Sequence, residues 1–341
     1  MSTTAAGRPR CLVTGGTGFT GRRLVRRLVA DFGPDSVMCL IKPHVASLES
    51  KARDTYRAMG LRLIEADLLD QPVTAGPPPH VDIVFHLAAN IDTEATETEA
   101  RVNDIGTQHL IDWLRPVSSG ARVVYTSSVA VHDRRTDPTG PISEESPLVP
   151  RTAYGKTKGR GEEIVRNGGV PDGYSWTILR LPTVYGPGQK HGGLFDKMIR
   201  MASDGAWLGR LDWPGRTSII HVDDAVDVMV DLARRHEAAN ETICVASDES
   251  LTVGELARQV GAALGRPVTP IVLPRPLARV VRMLVWNRAL QAGMPRVARV
   301  SFWRLSLMIS DGFWFDTTKL RRVYRKPLRN LDEGLRDTID S

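Results

Sequence analysis

The chain has 341 residues, of which 42% are apolar and 25% charged, and a mean hydropathy of −0.19. This is an ordinary globular composition, which excludes a disordered chain and is enough for one large domain or two interlocked ones. Formal net charge is +6, yet residues 267–310 hold seven arginines and no acid, so taking those seven charges away leaves −1 for the rest. No apolar run approaches the ~18 residues that span a bilayer. The opening MSTTAAGRPRCLVTGG has no apolar stretch ahead of a cleavage site, so no signal peptide is expected. Three cysteines, Cys11, Cys39 and Cys244, sit in apolar runs without CxxC spacing. They predict neither disulfides nor a metal site, and a cytoplasmic, reducing compartment. The basic excess lacks any helix-turn-helix, zinc-finger or RNP pattern, so no nucleic-acid partner is expected.

Short β-branched runs alternate with helical patterns through the first half, the signature of βαβ units and a parallel sheet. The first strand is 11–14, followed by a glycine-rich turn. A helix with Leu24, Val25, Leu28, Val29 and Phe32 on one face comes next, stopped by Gly33-Pro34. A strand over 37–41, a helix over 46–59 and a strand over 61–65 follow. The run Asp82-Ile83-Val84-Phe85-His86 is apolar on both sides and predicts a central strand. A helix over 97–114, a strand over 122–127, a helix from about Thr152 and a strand over 176–181 complete the alternation. Past Pro182, glycine and proline cluster at 186–188 and 213–215 as loop material. A strand over 242–246 and a helix over 252–264 read as a late return to the sheet. The expected division is a dinucleotide-binding domain over 8–182 and a mainly substrate-binding subdomain and lid over 183–341. Segments near 219–232 and 242–246 are expected to pass back into the first.

Thr14-Gly15-Gly16-Thr17-Gly18-Phe19-Thr20-Gly21 places glycines at 15, 18 and 21 between strand and helix. Glycine suits a sharp turn that approaches a pyrophosphate, and the next helix offers its unpaired N–H groups to phosphate. At the end of the second strand, an acid would hold ribose hydroxyls and a cation would meet a 2′-phosphate. The chain reads Cys39-Leu40-Ile41-Lys42-Pro43-His44, with no acid before Glu49, so Lys42 predicts NADP over NAD. A solvated loop lysine is the plainer alternative. Asp67, after the third strand, is expected either at an adenine amine or as a helix cap.

Tyr154 and Lys158 lie four apart on one helical face. A nearby ammonium, with a positive nicotinamide ring, is expected to bring the phenol's pKa down toward working range. Tyr125-Thr126-Ser127-Ser128 ends a strand, where a hydroxyl can bond a substrate oxygen.

Taken in order, TGGTGFTG at 14–21, Asp67-Leu68, His86-Leu87-Ala88-Ala89, Asn103, Ser127-Ser128, Tyr154 with Lys158, LRLPTVYGPG at 179–188, His221-Val222-Asp223-Asp224 and the closing FDTTKLRRVY from Phe315 span almost the whole chain. This set resembles the extended short-chain dehydrogenase/reductases, which include 3β-hydroxysteroid dehydrogenases, dihydroflavonol reductases and nucleotide-sugar epimerases. The resemblance implies a Rossmann doubly wound α/β fold with a smaller C-terminal substrate-binding subdomain. It implies Tyr154 as general acid/base, Lys158 as ribose ligand, Ser128 as the group polarising the substrate oxygen, and Asn103 as support for the helix or a relay water. Cofactor contacts are implied for Gly15, Thr17, Gly18, Phe19, Asp67, Leu68, Ala88, Ala89, Pro182 and Val184, and a structural role for His221 and Asp224. Three departures count. Val129 and Ala130 stand where dehydratases carry an Asp-Glu pair. Val131-His132-Asp133 replaces the Val-Tyr-Gly of epimerases. Arg216 is offset by about one residue from the arginine that grips a nucleotide.

The expectation is an NAD(P)-dependent oxidoreductase interconverting a secondary alcohol and a ketone, on an apolar, sterol- or lipid-like substrate. A nucleotide-sugar epimerase and a non-catalytic dinucleotide sensor are the alternatives. In the arginine-rich stretch, Leu277, Val280, Val281, Leu284 and Val285 share a helical face. That segment reads either as a pocket roof or as a contact with an anionic membrane, which would make the cytoplasmic protein membrane-peripheral. A homodimer is left open.

Overall fold

The computed structural model describes residues 7–43, 47–70, 73, 76–92, 94–132, 140–169, 173–189, 211–212, 215–274, 276–277, 280–281 and 312–339. Its strands are β1 (Cys11–Thr14), β2 (Val37–Ile41), β3 (Arg62–Glu65), β4 (Ile83–His86), β5 (Arg122–Ser128), β6 (Ser175–Leu181), β7 (Thr183–Tyr185), β8 (Leu211–Asp212), β9 (Arg216–His221), β10 (Glu241–Cys244), β11 (Ser250–Thr252), β12 (Ile271–Val272) and β13 (Gly312–Phe313). The described α-helices are α1 (Phe19–Phe32), α2 (Ser47–Ala58), α3 (Ile105–Leu114), α4 (Ala153–Gly168), α5 (Val222–Leu232), α6 (Val253–Ala263), α7 (Thr318–Val323) and α8 (Leu331–Ile339).

Seven strands form one sheet in the order β10-β6-β5-β4-β1-β2-β3, and the pairs running from β5 to β3 are parallel. The fully buried β4 occupies the middle of the sheet, as its two-sided apolarity requires. Strand order reverses between β1 and β4, and Thr14 faces His86 in register there. In open α/β sheets the crevice beyond this switch point is where ligands bind. The stripe of α1 that buries Leu24, Val25, Leu28 and Phe32 is the one read from its spacing, and Gly33 ends it at φ 85. Leu12, Leu40, Val84, Leu110, Val123, Val165 and Ile178 share one buried cluster.

The helix expected over 97–114 starts late. Glu99 accepts from the N–H and hydroxyl of Thr96, and the Thr96 hydroxyl accepts from the Glu99 N–H. This closed local turn satisfies the backbone, and a short 3-10 turn over Arg101–Asn103 leads into α3, whose first N–H is taken by Asp104.

The described residues fall into two compact units, one drawn from 1–131, 153–180 and 226–243, the other from 132–152, 181–225 and 244–341. The second has its own core of Tyr185, Ile219, Leu251, Leu256, Val260, Leu331 and Leu335. Its sheet runs β11-β9-β13, with β7 also on β9. Of the late segments, β10 joins the edge of the large sheet, whereas α6 packs on α8 in the second unit. A capping box between Thr252 and Glu255 starts α6. Most of the arginine-rich stretch, including the apolar positions from Leu284 onward, lies outside the described residues.

Candidate active site

The chain leaves β1 into a turn that admits no side chain at its tight points. Gly15 has φ +69, and a Cβ there would stand 2.6 Å from the Ala88 nitrogen; on Gly21 it would stand 2.1 Å from the Gly15 carbonyl oxygen. The Gly18 N–H donates to that carbonyl at 3.0 Å. Gly18 also starts α1 with no side-chain cap, which leaves the first helical N–H groups for an anion. Thr17 and Phe19 flank it, half-buried. The Tyr56 hydroxyl pins the turn from α2 by donating to the Gly16 carbonyl at 2.6 Å, a contact across forty residues that no local pattern announces.

Lys42 and Asp67 meet. The Lys42 ammonium, on a side chain 57% exposed, lies 2.9 Å from one Asp67 oxygen, and the other oxygen accepts from the Leu69 N–H at 3.0 Å. Burial pushes the Asp67 carboxyl up, but the Leu69 N–H and Lys42 outweigh it and hold it below the usual range. Leu68 is buried beside it. Arg53 adds a second cation, donating to the carbonyls of Lys42 and Pro43 at 2.7 and 3.0 Å.

Beyond β4, the Ala88 N–H donates to the Thr14 hydroxyl at 3.2 Å, and Ala89 follows in the same loop. His86 is buried between two hydroxyls, Nδ1 at 2.6 Å from Thr14 and Nε2 at 2.9 Å from Thr107. Burial and then the charge of Lys158 hold its pKa down to about 3, so the ring is neutral. Asn103 is a clamp. Its oxygen accepts from the Asn90 N–H at 2.8 Å, and its amide donates to the Asn90 carbonyl and the Thr157 hydroxyl, both at 3.0 Å. With both amide hydrogens committed, it fastens the loop after β4 to α4.

Strand β5 and helix α4 bring Ser128, Tyr154 and Lys158 together. Ser128 bears on the Tyr154 phenol, and its oxygen accepts from the Ala130 N–H at 3.2 Å. In the cofactor-free chain burial raises the phenol's pKa, and the nearby Ser128 hydroxyl only partly offsets that. The Lys158 ammonium lies over the ring of Tyr125, 4.0 Å from its centroid, and has no hydrogen-bond partner among the described residues. Its side chain is 1% exposed, and burial, countered by Glu162, brings its pKa from 10.5 to about 7. One turn on, the buried Glu162 accepts from Ser127 at 2.6 Å, from Arg180 at 3.0 and 2.9 Å and from Arg166 at 2.7 Å. Neither Tyr125 nor Glu162 stood out in the sequence as a site residue.

In the second unit, Pro182 is buried just before β7, and Val184 pairs with Ile220 across β7 and β9. Asp224 receives the Arg329 N–H at 2.9 Å and its guanidinium at 2.7 Å. His221 is buried, with Nδ1 accepting from the Asp223 N–H at 3.3 Å. Both tie the start of α5 to the C-terminal segment. Arg216 is folded onto Ser250 and lies 3.5 Å from Glu255.

These residues fit a dinucleotide in the first unit: a cradle that a Cβ would fill, an uncapped helix start and a buried ammonium with no acceptor among the described residues. A family model described as the NAD dependent epimerase/dehydratase family matches residues 11–246. A 2′-dehydrokanamycin reductase of Streptomyces kanamyceticus is 30% identical over 78% of this chain and 69% of its own length. A 3beta-hydroxysteroid-dehydrogenase/decarboxylase of Arabidopsis thaliana is 27% identical over 97% of this chain, which spans 61% of that relative. Among solved structures, UDP-glucuronic acid 4-epimerase from Bacillus cereus, in complex with UDP-glucuronic acid and NAD, shares the fold at TM-score 0.69 and 20% identity, over 97% of this chain and 98% of that one. The chain belongs to the NAD-dependent epimerase/dehydratase family and is an enzyme of the extended short-chain dehydrogenase/reductase type.

Proposed function

We propose that this enzyme is an NADP(H)-preferring dehydrogenase/reductase that interconverts a secondary alcohol and a ketone on an apolar, sterol- or lipid-like substrate. The observation that carries the reading is the Lys158 ammonium, buried one turn beyond Tyr154 on α4 with no hydrogen-bond acceptor among the described residues. In the reducing direction Tyr154 gives its proton to the substrate oxygen, and Ser128 donates to the same oxygen as charge builds on it. Burial keeps the phenol protonated until it is needed. Lys158 supplies N–H donors to ribose hydroxyls, and Asn103 holds α4 in place. The bound dinucleotide supplies or takes the hydride. The first unit is assigned to the cofactor, with Lys42 toward a 2′-phosphate, and the second mainly to the substrate, with Pro182 and Val184 on the nicotinamide side.

Two features favour an alcohol or ketone over a nucleotide sugar. Ser128 is followed by a turn over Val129–Val131 in which Ala130 and Val131 are buried, leaving no acid or base directly after the serine to eliminate water. Arg216, the residue nearest the place of a nucleotide-gripping arginine, is engaged by Ser250. Within the acid-free stretch, the described residues Ile271, Val272, Leu277 and Val280 are 42, 73, 50 and 49% exposed. Together with seven arginines in that stretch, they support a peripheral contact with an anionic membrane from which an apolar substrate is drawn. The likeness to a UDP-glucuronic acid epimerase supports the second reading, in which the hydride returns to the same molecule.

Tyr154→Phe tests the first reading. Turnover of NADPH with ketones should fall by roughly 10²-fold or more, the scale for losing a positioned acid, while cofactor binding stays intact. Near-native turnover in the variant would remove Tyr154 from the chemistry. Isomerisation of a UDP-sugar with catalytic NAD and no net NADPH oxidation would establish the epimerase. Tight cofactor binding with neither activity would leave a sensor.

A further inference from the structure

We propose that Tyr125 is a positioning residue of this site, its ring face seating the Lys158 ammonium and helping to hold it charged and aimed, with no hydrogen-bond acceptor for it among the described residues. The ammonium is 4.0 Å from the ring centroid, and both side chains are closed to solvent, at 1% and 0% exposure. A desolvated cation over an aromatic face is drawn to the ring quadrupole more strongly than at an exposed site. An aliphatic residue in that position would offer the charge nothing.

The rest of the neighbourhood is arranged to keep the ring where it is. The Tyr125 hydroxyl spans the carbonyls of Asn103 and Lys158, 3.4 Å from each. Gly161 gives it room: a Cβ there would stand 2.2 Å from that hydroxyl. The His86 ring tilts against Tyr125 at 5.5 Å between centroids and is neutral, so it adds no competing charge. The ionisable groups bearing on the pair are Glu162 and Tyr154 from α4, His86 from β4, and Asp104 at the start of α3. Glu162 favours the charged lysine, but its carboxylate is engaged by Arg180, Arg166 and Ser127. Among the described residues, the ring face is a direct contact of the ammonium.

The contact exists in the chain by itself; its consequence for cofactor binding rests on the dehydrogenase reading. The test therefore measures the lysine before it measures the cofactor. Position 125 is made Phe by substitution (Tyr125→Phe), and then filled with mono- and trifluorinated phenylalanine by suppression, a series that keeps the ring's shape while draining its face of negative charge. In the cofactor-free protein, Lys158 is titrated by competitive acetylation with mass-spectrometric readout across pH 5 to 11. Affinity for NADPH and NADH is read separately by fluorescence. Tyr125→Phe should leave the labelling profile unchanged, and the fluorinated forms should move it stepwise to lower pH, by about one unit in total, a tenfold change in proton affinity. Cofactor affinity should weaken in the same order, down to about tenfold. A labelling profile indifferent to fluorination overturns the proposal, whatever the cofactor does. A profile that moves as far in Tyr125→Phe as in the fluorinated forms also overturns it, because the hydroxyl would then be responsible. Should the labelling move in order while neither dinucleotide binds, the positioning role stands and the assignment of the site to a dinucleotide fails.

Discussion

Replacing Glu162 should destabilise the protein severely, and replacing its partner as well should give much of that stability back. The Glu162 carboxylate is fully buried, and the Arg180 side chain that grips it at 2.9 Å is 2% exposed. Arg166, at 29% exposure, can turn to water once released; Arg180 cannot. Glu162→Leu thus leaves a guanidinium in the interior without its counter-ion, which costs about 3–5 kcal/mol. Measured by urea unfolding with circular dichroism, at an m of about 3 kcal/mol/M, the midpoint should fall by about 1 to 1.7 M. Replacing a buried pair by apolar side chains of similar volume is close to neutral, so Glu162→Leu with Arg180→Met should be more stable than Glu162→Leu alone. The acid limb has a defined sign. Burial pushes the Glu162 carboxyl up, but Arg180, Ser127 and Arg166 outweigh it, so its folded value is lowered. Its contribution is complete above the unfolded value of about 4.3 and drains away as pH falls through the folded one. A double variant as unstable as the sum of its two single variants would refute the argument, since it would mean the pair is not the source of the cost.

Further outcomes follow from the same geometry. Lys42→Glu should erase or reverse a preference for NADPH over NADH in paired titrations; a native NADH preference would make Lys42 a partner of Asp67 and nothing more. Because burial lowers the Lys158 pKa to about 7, the folded state bears the cost of that charge below neutrality and is relieved of it as pH climbs toward the unfolded value of 10.5. Lys158→Met should accordingly raise the melting temperature at pH 6, lose that advantage by pH 10, and abolish turnover at both; an advantage independent of pH would point to packing. Co-sedimentation should show binding to anionic but not neutral vesicles at low salt and release at high salt. A protein that ignores anionic vesicles at low salt has no membrane face.

The features readable from sequence were those whose cause is local. Glycines at 15, 18 and 21 mark a turn because their lack of a side chain is the requirement, and Tyr154 and Lys158 share a face because helical spacing puts them there. The central place of β4 follows from its two-sided apolarity. What escaped the sequence depends on partners far along the chain. Tyr125 reads as a core strand residue until Lys158 is folded over it. Glu162 reads as a charged helix position until Ser127 and Arg180 close around it. The assignment of α6 to the second unit likewise turns on its packing with α8, about seventy residues later. Spacing likewise says that a lysine is near Tyr154, not that its ammonium lies over the ring of Tyr125.

The hydroxyls around His86 carry a polarity. Thr107 has one hydroxyl proton and gives it to the Asn103 carbonyl at 2.8 Å, so toward His86 it can only accept, and Nε2 must carry the imidazole hydrogen. Nδ1 is then bare and takes the proton of Thr14, which in turn accepts from the Ala88 N–H. Every bond from Ala88 to Asn103 points the same way, and bonds aligned head to tail strengthen one another. An imidazolium has a hydrogen on both nitrogens and would face the Thr14 proton head on, so the alignment itself opposes charging His86. The glycine turn at one end and the clamp on α4 at the other are joined by a one-way string, which keeps its direction while Lys158 gains and loses its charge.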